Sequence, residues 1–456
     1  MKPREGIGPR MRLVLALVAV ALFALLGCVS PAATPAPAAP PAGGAAQDPH
    51  ANLWLLDGAR PALDSRVSQG GAEPAILVDA LGRSILVGDN AGVHVSTDHG
   101  ATWTKVWVPF VPGATNNLPS TPVVTVGVGN TGISDGWVFA QDADGAIYAS
   151  TTDGALINVG RSLDGGLTWD ATPSTIATDA GPVADRPWLA AHGHGQVAVI
   201  WNVGGTDEAC SFSSDGGTTF PHKTIPTSGT SGNGVPIGGR AEFDPQGRLY
   251  YFGNGGGTLY RYDQAPCGNL LSKLDIPAHG AQLSLQATTD DTGHVYTAVP
   301  SAGNGAMQVW GWNGTRGATL KTLTISDPSL QENTYGTIHQ QGGEIVAAWY
   351  GSSTAGDFLG PSFHGEWNVY VAQVRNFWTA TPSVTVTRVS TEPNHVGGFC
   401  FGGTSCDTGQ TSGDRDLLDY FQVTHDAQGN AHVAYAHDGA TSSVEVRYAM
   451  VPGTSP

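Results

Sequence analysis

The chain has 456 residues, 63 of them glycine, with only 13% charged residues and a net charge of −17. Glycine at about twice average usage, few charges and no long stretch of helical periodicity point to an all-β, turn-rich fold. The acidic balance and a total of five lysines exclude nucleic acid as a partner, because phosphate binding needs clustered Lys and Arg.

In chain order, a basic stretch with Lys2, Arg4, Arg10 and Arg12 precedes an apolar run from Leu13 to Leu26 and then Gly27-Cys28. The run is shorter than the roughly 20 apolar residues of a spanning helix and reads as a signal peptide over residues 1–27. Leu25-Leu26-Gly27-Cys28 resembles the lipobox of bacterial-type lipoproteins, which implies cleavage before Cys28 and a lipid on its thiol. Residues 28–49 then form a Pro/Ala-rich tether with too little apolar surface to fold. These features lead us to expect an exported protein, anchored at the cell surface or outer membrane through its lipid alone.

Residues 50–456 carry a repeat. An apolar strand, a turn of the type Asp-x-x-Gly and a second apolar strand recur seven times. The turns lie at Asp79–Gly82, Asp142–Gly145, His192–Gly195, Asp244–Gly247, Asp290–Gly293, Gly343 and Asp426–Gly429. Most copies are roughly 45 to 65 residues apart, which suits one four-stranded blade each. A single β-propeller of seven blades is predicted, with six as the alternative. Four cysteines besides Cys28 suit an exported, disulfide-bonded protein: Cys400 with Cys406 across a short Gly-rich loop, and Cys210 with Cys267. A zinc site is the rival, but no histidine stands at ligand spacing beside either pair.

Three copies carry a second motif one strand later. Ser96–Trp103, Ser162–Trp169 and Ser213–Phe220 fit S-x-D-x-G-x-T-W, with Phe220 in place of the last Trp. This is the Asp box, or bacterial neuraminidase repeat, and the chain resembles exported sialidase-like propellers in these boxes. It also does so in Asp185–Ala190, IVAAWYGS, EWNVYVAQV and Gly413–Phe421. Asp98, Asp164 and Asp215 are expected to be structural, each carboxylate collecting backbone N–H groups of a tight hairpin while the aromatic ring packs between blades.

In a propeller, loops entering the innermost strands gather at one mouth, where function collects. Residues just before those strands are Arg66, Asp135, Asp185, Arg186, Arg240, His279, Gln282, Glu332, Tyr335 and Asp414 through Tyr420. Two readings of Arg186, Arg240 and Arg415 stand. As a triad they would grip a carboxylate, as the resemblance to sialidases implies. Alternatively, each pairs with a neighbouring aspartate and pins blades together. The resemblance further implies Asp135 or Asp185 as a proton donor, and Tyr335 with Glu332, or Tyr420, as nucleophile. The Phe-Arg-Ile-Pro signature of sialidases is absent. Arg83 and Arg248, which follow turn glycines, are read as solvated hairpin charges.

His192-Gly193-His194 occupies a turn position and reads as a hairpin, not a metal site. Asp142-Ala143-Asp144-Gly145 begins like a calcium loop, yet no closing glutamate follows. The sequence calls for no cofactor and no catalytic metal, and an acidic exported propeller leaves room for a structural calcium ion. Two functions are carried forward: a surface glycoside hydrolase of the exo-sialidase type acting on acidic glycans, and a monomeric, non-catalytic propeller binding a glycan or a surface protein.

Overall fold

The computed structural model describes residues 64–110, 136–153, 156–177, 184–203, 207–224, 239–253, 258–262, 267–268, 270–275, 285–301, 305–313, 320–360, 362–401, 415–417, 420–439 and 444–453. Cys28, Asp135, His279, Gln282, Cys406 and Asp414 lie outside the described residues.

The seven turns found in the sequence each join the first and second strands of a separate antiparallel sheet. The innermost strands are Ala75–Val78, Val138–Gln141, Ala184–His192, Glu242–Phe243, Thr288–Thr289, Glu332–Gln341 and Gln422–His425, in blades one to seven. Each touches the next, and the seventh touches the first, so the sheets close into a ring. The protein is a seven-bladed β-propeller; six blades is ruled out.

Closure is made by the N-terminal strand. Ser65–Gln69 pairs antiparallel with Glu445–Val451 and becomes the fourth, outermost strand of blade seven. Arg66 therefore sits on the outside of that blade, against Glu445 at 3.7 Å, and not at the channel mouth. Asp64 locks the strand: its carboxylate accepts hydrogen bonds from Tyr435 Oη at 2.7 Å and Thr391 N at 3.0 Å, and pairs with Arg447 at 3.0 Å. A covalently distant strand thus removes the free edge the last blade would otherwise present.

The three Asp-box segments form the hairpins between third and fourth strands of blades one to three. In blade two, Asp164 Oδ1 accepts Ser162 Oγ and Thr168 N, both at 2.9 Å, and Oδ2 accepts Thr168 Oγ1 at 2.6 Å. Asp98 and Asp215 repeat the pattern. The second glycine does two jobs. Gly166 has φ of +84°, and a Cβ there would stand 2.4 Å from Leu86 of blade one. Gly100 likewise faces Tyr448 of blade seven, whose ring meets Trp103 at 5.2 Å. Each box therefore closes its own hairpin and packs on the preceding blade.

The inner hairpins use the same chemistry. Asp142 accepts the backbone N–H of Asp144 and Ala146 at 3.0 Å, and also Tyr148 Oη at 2.9 Å and Gly195 N of blade three at 3.1 Å. Arg83 and Arg248 are not solvated charges. Arg83 Nε donates to Asp79 Oδ2 at 2.6 Å, while its Nη atoms bind the carbonyls of Leu163 and Gly145 in blade two. Arg248 clamps Asp244 in the same way. A guanidinium offers several donors in a rigid fork, so one side chain can tie three turns together.

The core lies between blades, and buried indoles such as Trp137, Trp188, Trp201, Trp349 and Trp367 fill it. Cys210 in blade three is bonded to Cys267 in blade four. Cys400 is also disulfide-bonded, its expected partner Cys406 lying outside the described residues.

Candidate functional site

A cavity of about 300 Å³ occupies the central channel at the end where the innermost strands turn into their hairpins. Its walls are partly apolar, from Leu77, Phe139, Leu189 and Phe243, and partly polar. Strand alternation explains this: on each innermost strand every second side chain faces the channel, so short polar insertions in apolar strands deliver polar groups to it. Blade four supplies Arg240 and Glu242, blade six His339 and Gln341, blade seven His425 and Asp426, and blades one and two Asp79 and Gln141. A second cavity of about 580 Å³ adjoins it over blades three to six and shares Glu242, Phe243, His339 and Gln341.

Arg240 Nε stands 3.9 Å from Glu242 Oε2, an ion pair beyond hydrogen-bonding distance. Glu242 Oε1 accepts long bonds from Thr289 N at 3.3 Å and Thr289 Oγ1 at 3.4 Å. Across the cavity His339 Nδ1 and His425 Nδ1 meet at 3.1 Å. Two neutral imidazoles in this contact share one proton between the Nδ1 atoms. The ring that donates it has a bare Nε2, and the ring that accepts it carries its proton on Nε2. The pair therefore offers one outward donor and one outward acceptor.

The electrostatics agree with that protonation. Burial, reinforced by the charge on Arg240, holds His339 well below the ordinary imidazole value; burial lowers His425 to about 4. Burial raises Glu242 above the usual carboxylate range, against the pull of Arg240.

Arg240 Nη1, Glu242 Oε2 and His425 Nε2 are buried without a hydrogen-bond partner among the described residues. Each such atom costs about 1–3 kcal/mol when its hydrogen bond is left unmade. Three of them around one cavity, beside titratable groups shifted by burial, mark it as the candidate site. Among the described residues no group of three or more His, Cys, Asp or Glu side chains is placed to hold a metal ion.

The residues expected at the opposite mouth are arranged differently. Arg240 lines the cavity, whereas Arg186 and Arg415 do not. Arg186 sits in a β-bulge with φ of +52°, is 6% exposed, and donates from Nη1 to Asp185 Oδ2 at 2.7 Å. Tyr335 occupies the corresponding bulge of blade six, with φ of +57° and its ring 5.4 Å from those of Tyr350, Phe399 and Phe401. Glu332 Oε1 accepts Gly356 N at 3.2 Å. Tyr420 is 2% exposed and packs on Trp188 at 4.7 Å, so blade seven meets blade three across the channel. Near it Gln286 Nε2 donates to the Phe421 carbonyl at 3.0 Å and Gln286 Oε1 accepts Thr337 Oγ1 at 2.9 Å.

Glu242, His339 and His425 lie within innermost strands, whereas the candidates expected from the sequence stand mostly in the loops before those strands. The available signal was a titratable residue inside an otherwise apolar or hydroxylic innermost strand, as in TIHQQ and QVTH.

No family model matches the chain, and no curated protein matches it. Solved structures resemble it at low identity. YCF48 from Cyanidioschyzon merolae has a TM-score of 0.44 and 12% identity, covering 84% of this chain and 98% of that one. A streptogramin B lyase has a TM-score of 0.45 and 12% identity over 86% of this chain and 96% of its own. A virginiamycin B lyase from Staphylococcus aureus has a TM-score of 0.47 and 10% identity over 84% and 95%. By its own sheet order and cavity lining the chain is a seven-bladed β-propeller with a partly polar cavity built by six of its blades.

Proposed function

We propose that the protein is a binding propeller that holds a small polar ligand in the hairpin-end cavity and does not cleave it. The observation that carries this reading is a set of three buried atoms around one cavity with no hydrogen-bond partner among the described residues: a guanidinium N–H, a carboxylate oxygen and an imidazole nitrogen. A ligand that meets them recovers hydrogen bonds the fold leaves unmade.

A sialidase mechanism needs several arginines turned to one substrate carboxylate and a tyrosine that reaches the anomeric carbon. Here Arg240 alone of the three expected arginines lines the cavity, and Arg186 is paired with Asp185. Tyr335 and Tyr420 are each packed into aromatic neighbours. The signal peptide, Cys28 and the Pro/Ala tether complete the proposal: the blades would display the cavity at the cell surface, free of the bilayer.

Ligand-observed NMR screening of a small-molecule library against the full-length chain tests this. Hits should disappear in Arg240→Met and persist in Tyr335→Phe. Turnover of a fluorogenic sialoside that is abolished by Tyr335→Phe would overturn the reading.

A further inference from the structure

From the hydrogen-bonding complement of the cavity we infer its ligand class: a neutral, polyhydroxylated ring, such as one unlinked or terminal hexose unit. This rests on the binding reading above and deepens it.

The first argument is charge. Arg240 and Glu242 are opposite charges in the same cavity, 3.9 Å apart. The other charged groups at the rim are engaged: Asp79 with Arg83 at 2.6 Å, and Asp426 with His432 at 3.1 Å and Asn430 Nδ2 at 2.7 Å. His339 is held neutral by its burial and by Arg240, and His425 by its burial. An anionic ligand would therefore find the one cation of the cavity, Arg240, already offset by the Glu242 carboxylate. A cationic ligand would be set against Arg240. A neutral ligand meets neither opposition.

The second argument is donor and acceptor matching. Arg240 Nη1 can only donate, and Glu242 Oε2 accepts when ionised and can donate when its burial keeps it protonated. With Arg240 Nε and Glu242 Oε2 3.9 Å apart, a single ligand atom that both accepts and donates can bridge the two side chains. A hydroxyl does this; a carboxylate, a fully ionised phosphate or an ammonium does not. The histidine pair asks for the same chemistry, because its two outward nitrogens are of opposite kind. Gln341 and Thr424 add further mixed donors and acceptors, whereas the Gln141 amide is spent on Ala80, Asp79 and Gly145.

The third is shape. A cavity of about 300 Å³ is at the small end of ligand pockets, suited to a single ring. Phe139 and Phe243 give it apolar wall for the C–H faces of a sugar, while the polar groups take its edge.

Isothermal titration calorimetry on the full-length chain against a defined panel tests the inference. The panel holds the methyl glycosides of glucose, galactose and mannose, the anions glucuronate and N-acetylneuraminate, and the cation glucosamine, each at millimolar concentration. At least one neutral glycoside should bind, at least tenfold more tightly than any charged member. Glu242→Gln, which leaves Arg240 uncompensated, should weaken the neutral glycoside and raise the affinity for glucuronate at least tenfold. Arg240→Gln should weaken the neutral glycoside at least tenfold. Preferential binding of an anion or the cation by the wild-type chain overturns the neutral class while leaving a ligand-binding cavity. Failure of every panel member to bind overturns the class; the library screen then decides the binding reading separately. Binding unaffected by both substitutions places the sugar elsewhere and overturns the inference as well. The wild-type panel decides the class even if a variant fails to fold.

Discussion

His425 ties the candidate site to the stability of the whole propeller. Its ring is 3% exposed, and burial lowers its pKa from 6.5 to about 4 in the folded chain. The unfolded chain binds a proton at this position from about pH 6.5 downward, whereas the folded chain does not until near pH 4. Stability contributed by neutral His425 is therefore present above 6.5 and lost as pH falls from 6.5 towards 4. Over that window the unfolded state holds more protons, and stability rises with pH. Integrated between about pH 7 and pH 5, the loss from this one group is about 2 kcal/mol. His425→Phe removes the titration and keeps a ring of similar size against His339. Groups away from His425, including Asp89, whose burial raises its pKa to about 6 and so acts in the opposite direction, contribute alike to both proteins and cancel in the difference, whereas His339, whose protonation His425 opposes, is followed by its own NMR titration in both. Urea unfolding of wild type and His425→Phe at the two pH values measures it, with wild type losing about 2 kcal/mol more. Equal pH dependence of the two proteins, or an NMR titration placing His425 above pH 6, refutes the reasoning.

Three further outcomes follow from the geometry. Asp164→Ala removes three hydrogen bonds from one hairpin and should cost about 1–2 kcal/mol, read as a lowered thermal midpoint with unchanged ligand binding. Opening the Cys210–Cys267 bond, whose cysteines are 57 residues apart, should destabilise by about 4 kcal/mol in the chain-entropy estimate; replacing both cysteines with alanine and comparing unfolding midpoints measures it. Arg447→Met strips the cation from Asp64, whose side chain is 3% exposed and keeps its hydrogen bonds from Tyr435 and Thr391, at a cost of about 1.5–3 kcal/mol. Limited proteolysis should then release the N-terminal segment first, and a cleavage pattern identical to wild type would count against a closing role for the Ser65–Gln69 strand.

The blade count was readable because its determinants are local. An Asp-x-x-Gly turn needs a glycine at positive φ and a carboxylate that bonds its own backbone, and both lie within five residues, as at Asp426–Asn430. The Asp boxes were readable for the same reason. The closing strand was not, since SRVSQ has no strong pattern and gains its place only by pairing with residues some 380 positions away. Arg83 and Arg248 were misread because their carboxylate partners lie just across their own turns, and Arg83's other acceptors belong to the next blade.

The sequence by itself determined an all-β chain of seven hairpin repeats, and this follows from periodicity and turn chemistry that act over a few residues. Only the tertiary structure decided where polar groups converge. Arg240, Glu242, His339 and His425 come from three blades, and nothing in their spacing along the chain places them around one cavity. Ring closure does that, because it turns the alternate side chains of separate innermost strands towards a common axis, where burial shifts their protonation and leaves their hydrogen bonds unmade.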